Sequence, residues 1–222
     1  MTDRSPAGGG AAAGRPIPVP AGKLILDKSL CVLFLFLTVP VWLVVIVSII
    51  TENLLAPERR GPIFHTEIRV SAGRPFPLYK FRILRPRAED EIRAGAVPKT
   101  VENNPANVTA VGWALKKIGL DELPQLLNIL GGKMSFVGPR PKPVAEYAVE
   151  IERGRTFRAR LRAGLTGPVQ VMKGRVRTEE DQLNADFAYE ELLRRGSQWK
   201  IFLFDMRVLA KTILVMVKAT GE

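Results

Sequence analysis

Two adjacent carboxylates and a proline-flanked arginine are the residues of this sequence best suited to phosphate chemistry. Asp121 and Glu122 are neighbours, and Arg140 follows them between Pro139 and Pro141. One carboxylate can attack phosphorus while the other holds a Mg²⁺ ion that offsets the charge of a diphosphate. A guanidinium on a restrained backbone suits bidentate contact with a phosphate. The three charged residues therefore predict a site that handles metal-bound phosphates.

The carboxylate pair also has a structural interpretation, because it opens a helical pattern. Apolar residues recur at three- and four-residue intervals and form an amphipathic stripe of Leu120, Leu123, Leu126, Leu127, Ile129 and Leu130. Pro124 is tolerated only in a first helical turn, so the predicted helix starts near Leu120 or Asp121. There Asp121 could simply cap the helix, and Glu122 could interact with the helix dipole. Only the residues around the pair favour the catalytic interpretation.

Cationic residues in two other segments are candidates for holding phosphate. Residues 74–83 alternate as in a β-strand, with Lys80 and Arg82 on the face opposite the bulky apolar side chains. An ordinary edge strand with charged residues would show the same pattern. Farther along, Arg162 precedes a segment whose glycines let the backbone approach a ligand, and Arg175 follows that segment.

The composition limits the classes of partner. With 33 Lys+Arg against 22 Asp+Glu, the 222-residue chain has a formal net charge of +11. Such a charge favours acidic lipid headgroups, nucleotide phosphates or nucleic acid. The sequence lacks the aromatic-basic signature of an RNA-binding module and a DNA-reading helix, so nucleic acid is not an expected partner. The single cysteine, Cys31, excludes a disulfide framework and a zinc-thiolate cluster.

The sequence divides into a tail, a membrane anchor and one domain. Residues 1–22 are rich in Gly, Ala and Pro without periodic apolar positions, and we expect them to be disordered. An uncharged apolar run at 30–50 has about the length that crosses a bilayer, which places an anchor at residues 23–52. Residues 53–222 are long enough for one domain. We expect an α/β fold for it, mostly helical with a small β element.

Pro40 makes the topology of the anchor ambiguous. Because proline removes a backbone donor in mid-run, we expect the helix to break near Pro40, with Thr38 available to bond a carbonyl left without a donor. A straight or mildly bent spanning helix is the alternative. Basic residues flank both ends of the apolar run, so the rule that cytoplasmic loops are basic applies to both ends. That balance favours a re-entrant hairpin whose ends emerge on one side.

Several motifs occur together in the order of one known family. After an apolar anchor with a central proline come Gly61-Pro62-Ile63-Phe64, Tyr79-Lys80-Phe81-Arg82, Leu120-Asp121-Glu122-Leu123-Pro124-Gln125, Met134-Ser135-Phe136-Val137-Gly138-Pro139-Arg140-Pro141 and Gly164-Leu165-Thr166-Gly167. On these residues the chain resembles the bacterial sugar transferases, which are monotopic polyprenyl-phosphate phosphoglycosyltransferases. The resemblance runs from about Lys23 almost to the C-terminus. Its most specific parts are the Asp-Glu and Gly-Pro-Arg-Pro motifs.

The resemblance implies a reaction and roles for individual residues. Such enzymes transfer a phosphosugar from a nucleotide sugar, usually a UDP-sugar, to a polyprenyl phosphate and release UMP. They act at the cytoplasmic face of the bacterial inner membrane, in the initiating step of glycans such as exopolysaccharide or lipopolysaccharide. Asp121 would be the nucleophile that forms a covalent phosphosugar intermediate, Glu122 the Mg²⁺ ligand, and Arg140 a phosphate ligand. The other residues expected at the substrate are Lys80, Arg82, Lys116, Arg162, Arg175 and Asp186.

The resemblance also implies how the chain meets the membrane lipid. The family anchor is a re-entrant helix, and the compact cytoplasmic catalytic domain carries interfacial amphipathic helices. Residues 199–218 form one amphipathic helical pattern, which could equally pack in a core. Departures from the family pattern at Lys116 and Pro168 keep open a second function, a catalytically silent membrane scaffold of a glycan assembly complex. Both functions leave room for downstream glycosyltransferases as partners, and no motif identifies the sugar.

Overall fold

The computed structural model describes residues 14–172 and 178–219. The helices of this part are α1 (Ala21–Leu55), α2 (Pro86–Arg93), α3 (Pro98–Asn103), α4 (Ala110–Ile118), α5 (Gln125–Leu130), α6 (Val144–Glu152), α7 (Phe157–Arg160), α8 (Glu179–Arg195) and α9 (Gln198–Ala219). The strands are β1 (Phe64–Ser71), β2 (Arg74–Phe81), β3 (Met134–Val137), β4 (Lys142–Pro143) and β5 (Ala163–Thr166). The expected mostly helical fold with small β elements is confirmed.

The chain forms two compact units. The first comprises the described residues up to Cys31, the segment Glu67–Leu78 and the described residues from Asn128 onwards. The second comprises Val32–Thr66 and Tyr79–Leu127. The carboxylate pair therefore belongs to the second unit, and the Gly-Pro-Arg-Pro motif belongs to the first.

Helix α1 is the long apolar element of the structure. It is long and apolar enough to cross a membrane, since its most apolar window has a mean hydropathy of 3.0, and only 11% of that window is buried. The core helix of a soluble protein would be mostly buried. This low burial supports membrane association of α1, in agreement with the sequence prediction.

The predicted break at Pro40 is absent, because α1 is helical without interruption from Ala21 to Leu55. Pro40 has no amide proton, so the carbonyl of Phe36 lacks its usual donor. The hydroxyl of Thr38 does not reach that carbonyl and donates instead to the carbonyl oxygen of Phe34 at 2.6 Å. One missing hydrogen bond is thus accommodated within a continuous helix.

Buried polar groups fix the first turns of α1 within the first unit. The ammonium group of Lys23 lies 2.6 Å from the carboxylate of Asp205 in α9. The carboxylate of Asp27 accepts hydrogen bonds from the Ser135 hydroxyl at 2.7 Å and from the Phe136 amide at 3.1 Å, both in β3. Because ions are costly to bury without partners, these contacts hold the start of the helix in one place.

The last turns of α1 are held within the second unit. The carboxylate of Glu52 accepts hydrogen bonds from the amides of Ala110 and Val111 at 2.8 and 3.3 Å. These amides open α4, where the first backbone donors of a helix lack internal partners and attract anions. The amide side chain of Asn53 donates to the carbonyl oxygen of Gly61 at 2.8 Å.

The strands form two small sheets. One sheet has the order β2-β1-β4, and β1 pairs with β4 antiparallel at Arg69↔Pro143 and Val70↔Lys142. The other pairs β3 with β5 in parallel, with Ser135 opposite Gly164 and Val137 opposite Thr166. Because β3 leads directly into the Gly-Pro-Arg-Pro motif, this pairing positions the start of that motif.

Part of the predicted disordered tail has a defined place. The amide of Ile17 donates to the carbonyl oxygen of Arg160 at 2.9 Å, and α1 begins at Ala21 rather than after residue 22. The Gly- and Pro-rich composition of this segment does not reveal a partner so distant in the sequence. Residues 1–13 of the tail lie outside the described residues.

Candidate active site

A helix end and a tight turn position the two carboxylates. Helix α4 ends at Gly119, whose left-handed backbone (φ +71°) favours glycine. A 3₁₀ turn follows over Leu120–Glu122, and α5 begins only at Gln125, after Pro124. The prediction that the helix starts near Leu120 or Asp121 is therefore wrong. The carboxylates lie in the turn before the helix, and the Asp121 side chain is buried there.

Apolar packing fixes this turn within the second unit. Leu120 and Leu123 pack against a cluster formed by Val45 and Ile49 of α1, Phe81 of β2 and Leu115 of α4. The residues on either side of the carboxylate pair are thus held by the later half of the apolar helix.

The predicted leucine stripe is also partly wrong. Leu126 and Ile129 are buried, whereas Leu127 and Leu130 are about two-fifths exposed. The reason is that α5 starts later than predicted. The preceding 3₁₀ turn has three residues per turn instead of 3.6, so the positions that face inward differ from those of one continuous α-helix.

Burial makes Asp121 electrostatically unusual. Only 9% of the residue is exposed, and burial, followed by the negative charge of Glu122, raises the pKa of Asp121 to about 6. The positive charge of Lys80 acts in the opposite direction and lowers this pKa. Shifts of this kind are common at catalytic groups. Asp121, Glu122 and Lys80 therefore form one electrostatically interacting set.

Lys116 lies on α4 near the same region but is engaged elsewhere. Its ammonium group donates to the carbonyl oxygen of Glu102 at 2.8 Å and lies 3.8 Å from the Glu102 carboxylate. These contacts tie α4 to α3. In this structure Lys116 is a bridge between helices rather than part of the set around Asp121.

Arg82 has a structural role, which contradicts the prediction that it binds phosphate. It is only 2% exposed, because it lies beyond the end of β2 and its side chain turns inward. The guanidinium donates to the carbonyl oxygens of Pro62 and Leu84 at 2.8 and 2.9 Å and to the side-chain oxygen of Asn53 at 2.8 Å. Its donors are thus committed to the chain. The predicted cationic face of Lys80 and Arg82 is absent because the strand ends at Phe81.

The first unit brings Arg140 and Asp186 together through a third residue. Arg158 of α7 donates one hydrogen bond to the main-chain oxygen of Arg140 at 2.8 Å and another to the carboxylate of Asp186 at 3.4 Å. Asp186 is 1% exposed, and burial raises its pKa to about 6, although the positive charge of Arg158 lowers it. Asp186 and the main chain of Arg140 thus share one partner, whereas the role of Asp186 at the substrate stays a prediction.

Arg162 lines a cavity of the first unit. The other residues that line this small cavity include Ile17, Lys23, Arg160 and Tyr189. Burial lowers the pKa of Arg162, while the charge of Asp27 raises it. Arg162 is therefore a partly desolvated cation that could meet an anion. Arg175, the last of the predicted phosphate ligands, lies outside the described residues.

The carboxylates fit the way proteins hold Mg²⁺. Among residues 14–172 and 178–219, no group of three or more His, Cys, Asp or Glu side chains could enclose a metal ion. Mg²⁺ usually keeps several waters and binds through one or two carboxylates plus substrate phosphates. The half-buried Glu122 beside Asp121 offers that kind of incomplete ligand set, to be completed by a diphosphate.

Sequence reasoning missed the residues that support the site. Arg158 belongs to a basic run that suggests a solvated surface, yet only 14% of its side chain is exposed. Lys23 and Asp27 stand one helical turn apart at the start of α1. Ionisable residues so near an apolar run were the one available signal, because they need a polar partner.

Comparison with known proteins agrees with this geometry. The family model for bacterial sugar transferases matches residues 20–219, which is most of the chain. The chain belongs to the bacterial sugar transferase family. The match includes both carboxylates and the Gly-Pro-Arg-Pro motif, and it confirms the resemblance drawn from the sequence.

Named relatives come from several bacteria. The chain is 32% identical over 195 residues to the UDP-glucose:undecaprenyl-phosphate glucose-1-phosphate transferase of Escherichia coli, covering 84% of this chain and 38% of that protein. It is 32% identical to the transferase of the same name from Caulobacter vibrioides, over 90% of this chain and 72% of the relative. The uncharacterized sugar transferase EpsL of Bacillus subtilis is 30% identical, over 83% and 86%. The chain thus spans about two-fifths of the length of the E. coli relative.

Proposed function

We propose that this protein transfers a phosphosugar from a UDP-sugar to a polyprenyl phosphate and releases UMP. The observation that carries the proposal is the buried Asp121, whose pKa is raised by burial and by Glu122 and lowered by Lys80, in the segment that matches the family. A partly desolvated carboxylate is a stronger nucleophile than a hydrated one. The names of the relatives from E. coli and C. vibrioides support the same reaction class.

The reaction proceeds in two displacements at one phosphorus atom. An oxygen of ionised Asp121 attacks the phosphorus that carries the sugar. The bond from that phosphorus to the bridging oxygen breaks, and UMP departs with the electron pair. A phosphate oxygen of the polyprenyl phosphate then attacks the same phosphorus. This releases the Asp121 carboxylate and leaves a polyprenyl diphosphate sugar, so the enzyme returns to its starting state.

Charged residues would neutralise the phosphates and keep Asp121 ionised. Glu122 would hold Mg²⁺ together with diphosphate oxygens, and the ion, when bound, would neutralise charge that develops on the departing phosphate. Lys80 adds a positive charge near the carboxylate, which keeps Asp121 more ionised than burial alone would allow. By its place in the Gly-Pro-Arg-Pro motif of the family, Arg140 would hold phosphate by bidentate hydrogen bonds.

Nucleotide release tests the proposal directly. The purified protein in lipid nanodiscs is given a panel of UDP-sugars with Mg²⁺ and a polyprenyl phosphate, and the released nucleotide is identified. We expect UMP with at least one donor, and an added phosphosugar mass on the intact protein when the acceptor is omitted. Asp121→Asn should abolish both, while Asp90→Asn, a change on the exposed face of α2, should preserve both. Release of UDP, or full activity of Asp121→Asn, would refute the nucleophile.

The absence of both nucleotide release and added mass would support the alternative function. A protein that folds normally but neither releases nucleotide nor gains mass with any donor would be the catalytically silent scaffold. Departures at Lys116 and Pro168 motivate that alternative.

We further propose that α1 enters and leaves the inner membrane on its cytoplasmic face. The support is that basic residues flank both ends of the apolar run, Lys23 and Lys28 before it and Arg59 and Arg60 after it, so the rule that cytoplasmic loops are basic applies to both ends. The helix is roughly 50 Å long, which allows a shallow path.

Thiol labelling distinguishes the two topologies. Single cysteines replace Arg15 and Glu58 in turn, in a protein whose Cys31 is changed to Ser, and a membrane-impermeant maleimide is added to intact cells and to inverted vesicles. Both sites should react only in inverted vesicles if the anchor is re-entrant. Labelling from opposite sides would establish a spanning helix.

Helix α9 is proposed to touch the membrane interface. Its buried face contains Ile201 and Val208, whereas Trp199, Ile213 and Leu214 are between 60% and 65% exposed. The predicted helix is confirmed, and its outer apolar side chains suit an interfacial position. Brominated lipids should quench the fluorescence of the wild-type protein more than that of Trp199→Phe. Equal quenching would exclude contact at this position.

A further inference from the structure

The main chain of the Gly-Pro-Arg-Pro motif is held at three consecutive residues. The amide of Gly138 donates to the carbonyl oxygen of Thr166 at 2.9 Å, and the carbonyl oxygen of Pro139 accepts from the amide of Gly164 at 2.9 Å. The first bond continues the parallel pairing of β3 with β5, in which Val137 lies opposite Thr166. The second lies outside that register, because Gly164 is opposite Ser135. The next carbonyl oxygen, that of Arg140, accepts a hydrogen bond from Arg158.

Close packing leaves this part of the motif no room to shift. A Cβ atom added at Gly138 would collide with the main-chain oxygen of Arg162 and would lie 2.9 Å from the Gly164 amide. The backbone of β5 therefore fixes Gly138 from one side. Arg140 lies two residues further, where the side chain of Arg158 donates to its carbonyl oxygen.

Arg158 is itself oriented by two carboxylates. Its Nε atom lies 2.8 Å from Oε2 of Glu150, and its Nη2 atom donates to Oδ2 of Asp186 at 3.4 Å. Only 15% of the Glu150 side chain and 2% of the Asp186 side chain are exposed. The ammonium group of Lys142 lies 3.9 Å from the other oxygen of Glu150, so two cations meet two carboxylates. This arrangement leaves Nη1 of Arg158 directed at the carbonyl oxygen of Arg140.

Three atoms of the cluster are buried without a hydrogen-bond partner among the residues that the structure describes. They are Oδ1 of Asp186, and also Oε2 of Glu150 and Nε of Arg158, which face each other as an ion pair without hydrogen-bond geometry. Leaving a buried carboxylate oxygen unpaired is costly, and burial accordingly raises the pKa of Asp186 to about 6. Stability alone would favour an uncharged side chain there. The cost is explained if the carboxylate is needed to aim Arg158.

We propose that Arg158 is a positioning residue, held by Glu150 and Asp186, that fixes the main chain of Arg140 so that the Arg140 guanidinium meets donor phosphate in one orientation. This inference rests on the proposed function, because it assigns phosphate binding to Arg140. Arg158 acts through its hydrogen bond to the Arg140 carbonyl and does not itself touch the substrate. The flat, forked guanidinium is needed because one group must reach two carboxylates and a carbonyl at once.

Arg158→Lys is the most informative variant. An ammonium group keeps the positive charge between the two carboxylates but cannot also span to the Arg140 carbonyl. We expect the KM for the UDP-sugar to rise about tenfold, with kcat changed by less than about threefold, because binding is loosened before the chemical step. The matched control is Arg155→Lys, since Arg155 belongs to the same basic run but pairs with Glu179 at the surface. That control should leave both constants unchanged.

Hydrogen exchange gives a readout that does not depend on activity. Peptides covering residues 136–143 should exchange faster in Arg158→Lys than in the wild type, and Arg155→Lys should match the wild type. Unchanged exchange would overturn the positioning role, even in a protein that transfers no sugar. Faster exchange with an unchanged KM would overturn the link to donor phosphate while leaving the proposed reaction intact.

A second variant covers the case in which Arg158→Lys does not fold. Glu150→Gln keeps the volume of the side chain and removes the charge that faces Nε of Arg158. It should produce the same changes in exchange and KM, to a smaller extent. If both variants fold and neither affects the 136–143 peptides, Arg158 is only a structural ion-pair partner.

Discussion

Arg82 and Asn53 join the end of the apolar helix to the chain that follows β2. Nη2 of Arg82 lies 2.8 Å from Oδ1 of Asn53, and the same Asn53 oxygen accepts a hydrogen bond from the amide of Gly61 at 3.3 Å. Arg82 also bonds the carbonyl oxygens of Pro62 and Leu84. A single buried guanidinium thus satisfies acceptors from three separate segments. The segment that leaves the membrane helix is ordered by this group.

Replacing Arg82 should destabilise the protein rather than weaken substrate binding. Arg82→Ala removes a donor from the carbonyl oxygens of Pro62 and Leu84 and one of the two donors of the Asn53 side-chain oxygen, and we expect the free energy of unfolding to fall by about 3 kcal/mol. Thermal unfolding in nanodiscs measures the loss. Arg87→Ala, whose side chain is 93% exposed, is the control and should change stability by less than about 0.5 kcal/mol. A variant at Arg82 that keeps its stability but loses donor affinity would restore the predicted phosphate-binding role.

The example of Arg82 shows where sequence reasoning ends. In the sequence it resembles any cation near a phosphate site, because its acceptors come from Asn53, Pro62 and Leu84, which only the fold assembles. The carboxylate pair and α9 were predictable, since each depends on a local pattern or motif. Pairings between distant residues, such as Arg158 with the Arg140 carbonyl, leave no local signal.

Two predictions about local structure, the start of α5 and the break at Pro40, were also wrong. The 3₁₀ turn at Leu120–Glu122 delays α5, so Leu127 and Leu130 face outward although their spacing suits a helical core stripe. Pro40 lies inside a continuous helix, since one missing hydrogen bond does not end a helix of 35 residues. In both cases the conformation of the surrounding chain, and not the preference of one residue, determined the local structure.

The pH dependence of the first half-reaction should follow Asp121. Only the ionised carboxylate attacks phosphorus, and burial together with Glu122 raises the pKa of Asp121 to about 6. In single turnovers without acceptor, UMP release should rise up to tenfold per pH unit below about 6 and level off above it. Bound Mg²⁺ would stabilise the ionised form of the carboxylate, so saturating metal should move the midpoint of the pH–rate curve to lower pH. A rate that does not vary between about pH 5 and pH 8 would show that ionisation of Asp121 is not required.

Comparing variants of Glu122 and Glu102 distinguishes metal binding from the effect of a nearby negative charge on the pKa of Asp121. Both negative charges raise the pKa of Asp121, with Glu122 contributing more. Glu122→Gln should therefore shift the pH midpoint down and also raise the Mg²⁺ concentration needed for half-maximal UMP release by about tenfold or more. Glu102→Gln should shift only the pH midpoint, and by less. Identical Mg²⁺ titrations for the two variants would remove Glu122 from the metal site.

The buried pair of Lys23 and Asp205 should be a main support of the first unit. Burial raises the pKa of Asp205, and Lys23 lowers it by charge and by a direct hydrogen bond. Lys23→Met removes that compensation, and we expect a loss of about 3–5 kcal/mol in the free energy of unfolding. The comparison is Lys200→Met, at an exposed position of α9. If the two variants were equally stable, the ion pair of Lys23 with Asp205 would stabilise the protein no more than a methionine at position 23 does.

Asp186 should make stability depend on pH in a direction opposite to that of most carboxylates. Its pKa is about 6 in the folded protein, against an ordinary value of 3.8, because burial outweighs the attraction of Arg158. The folded state therefore keeps a proton that the unfolded chain has already lost. The stabilisation from this group is complete below about pH 4 and disappears as the pH rises through about 6.

Asp186→Asn cannot ionise, so it isolates that contribution. The stability of the variant relative to the wild type should improve by up to about 3 kcal/mol between pH 4 and pH 7, whatever constant offset the lost contact with Arg158 adds. Chemical unfolding across this range gives the two curves, and Asp90→Asn, on the exposed face of α2, should run parallel to the wild type. If the Asp186→Asn curve is also parallel, the carboxylate is ionised at all these pH values. Arg158 would then be compensating its charge more fully than the 3.4 Å contact suggests.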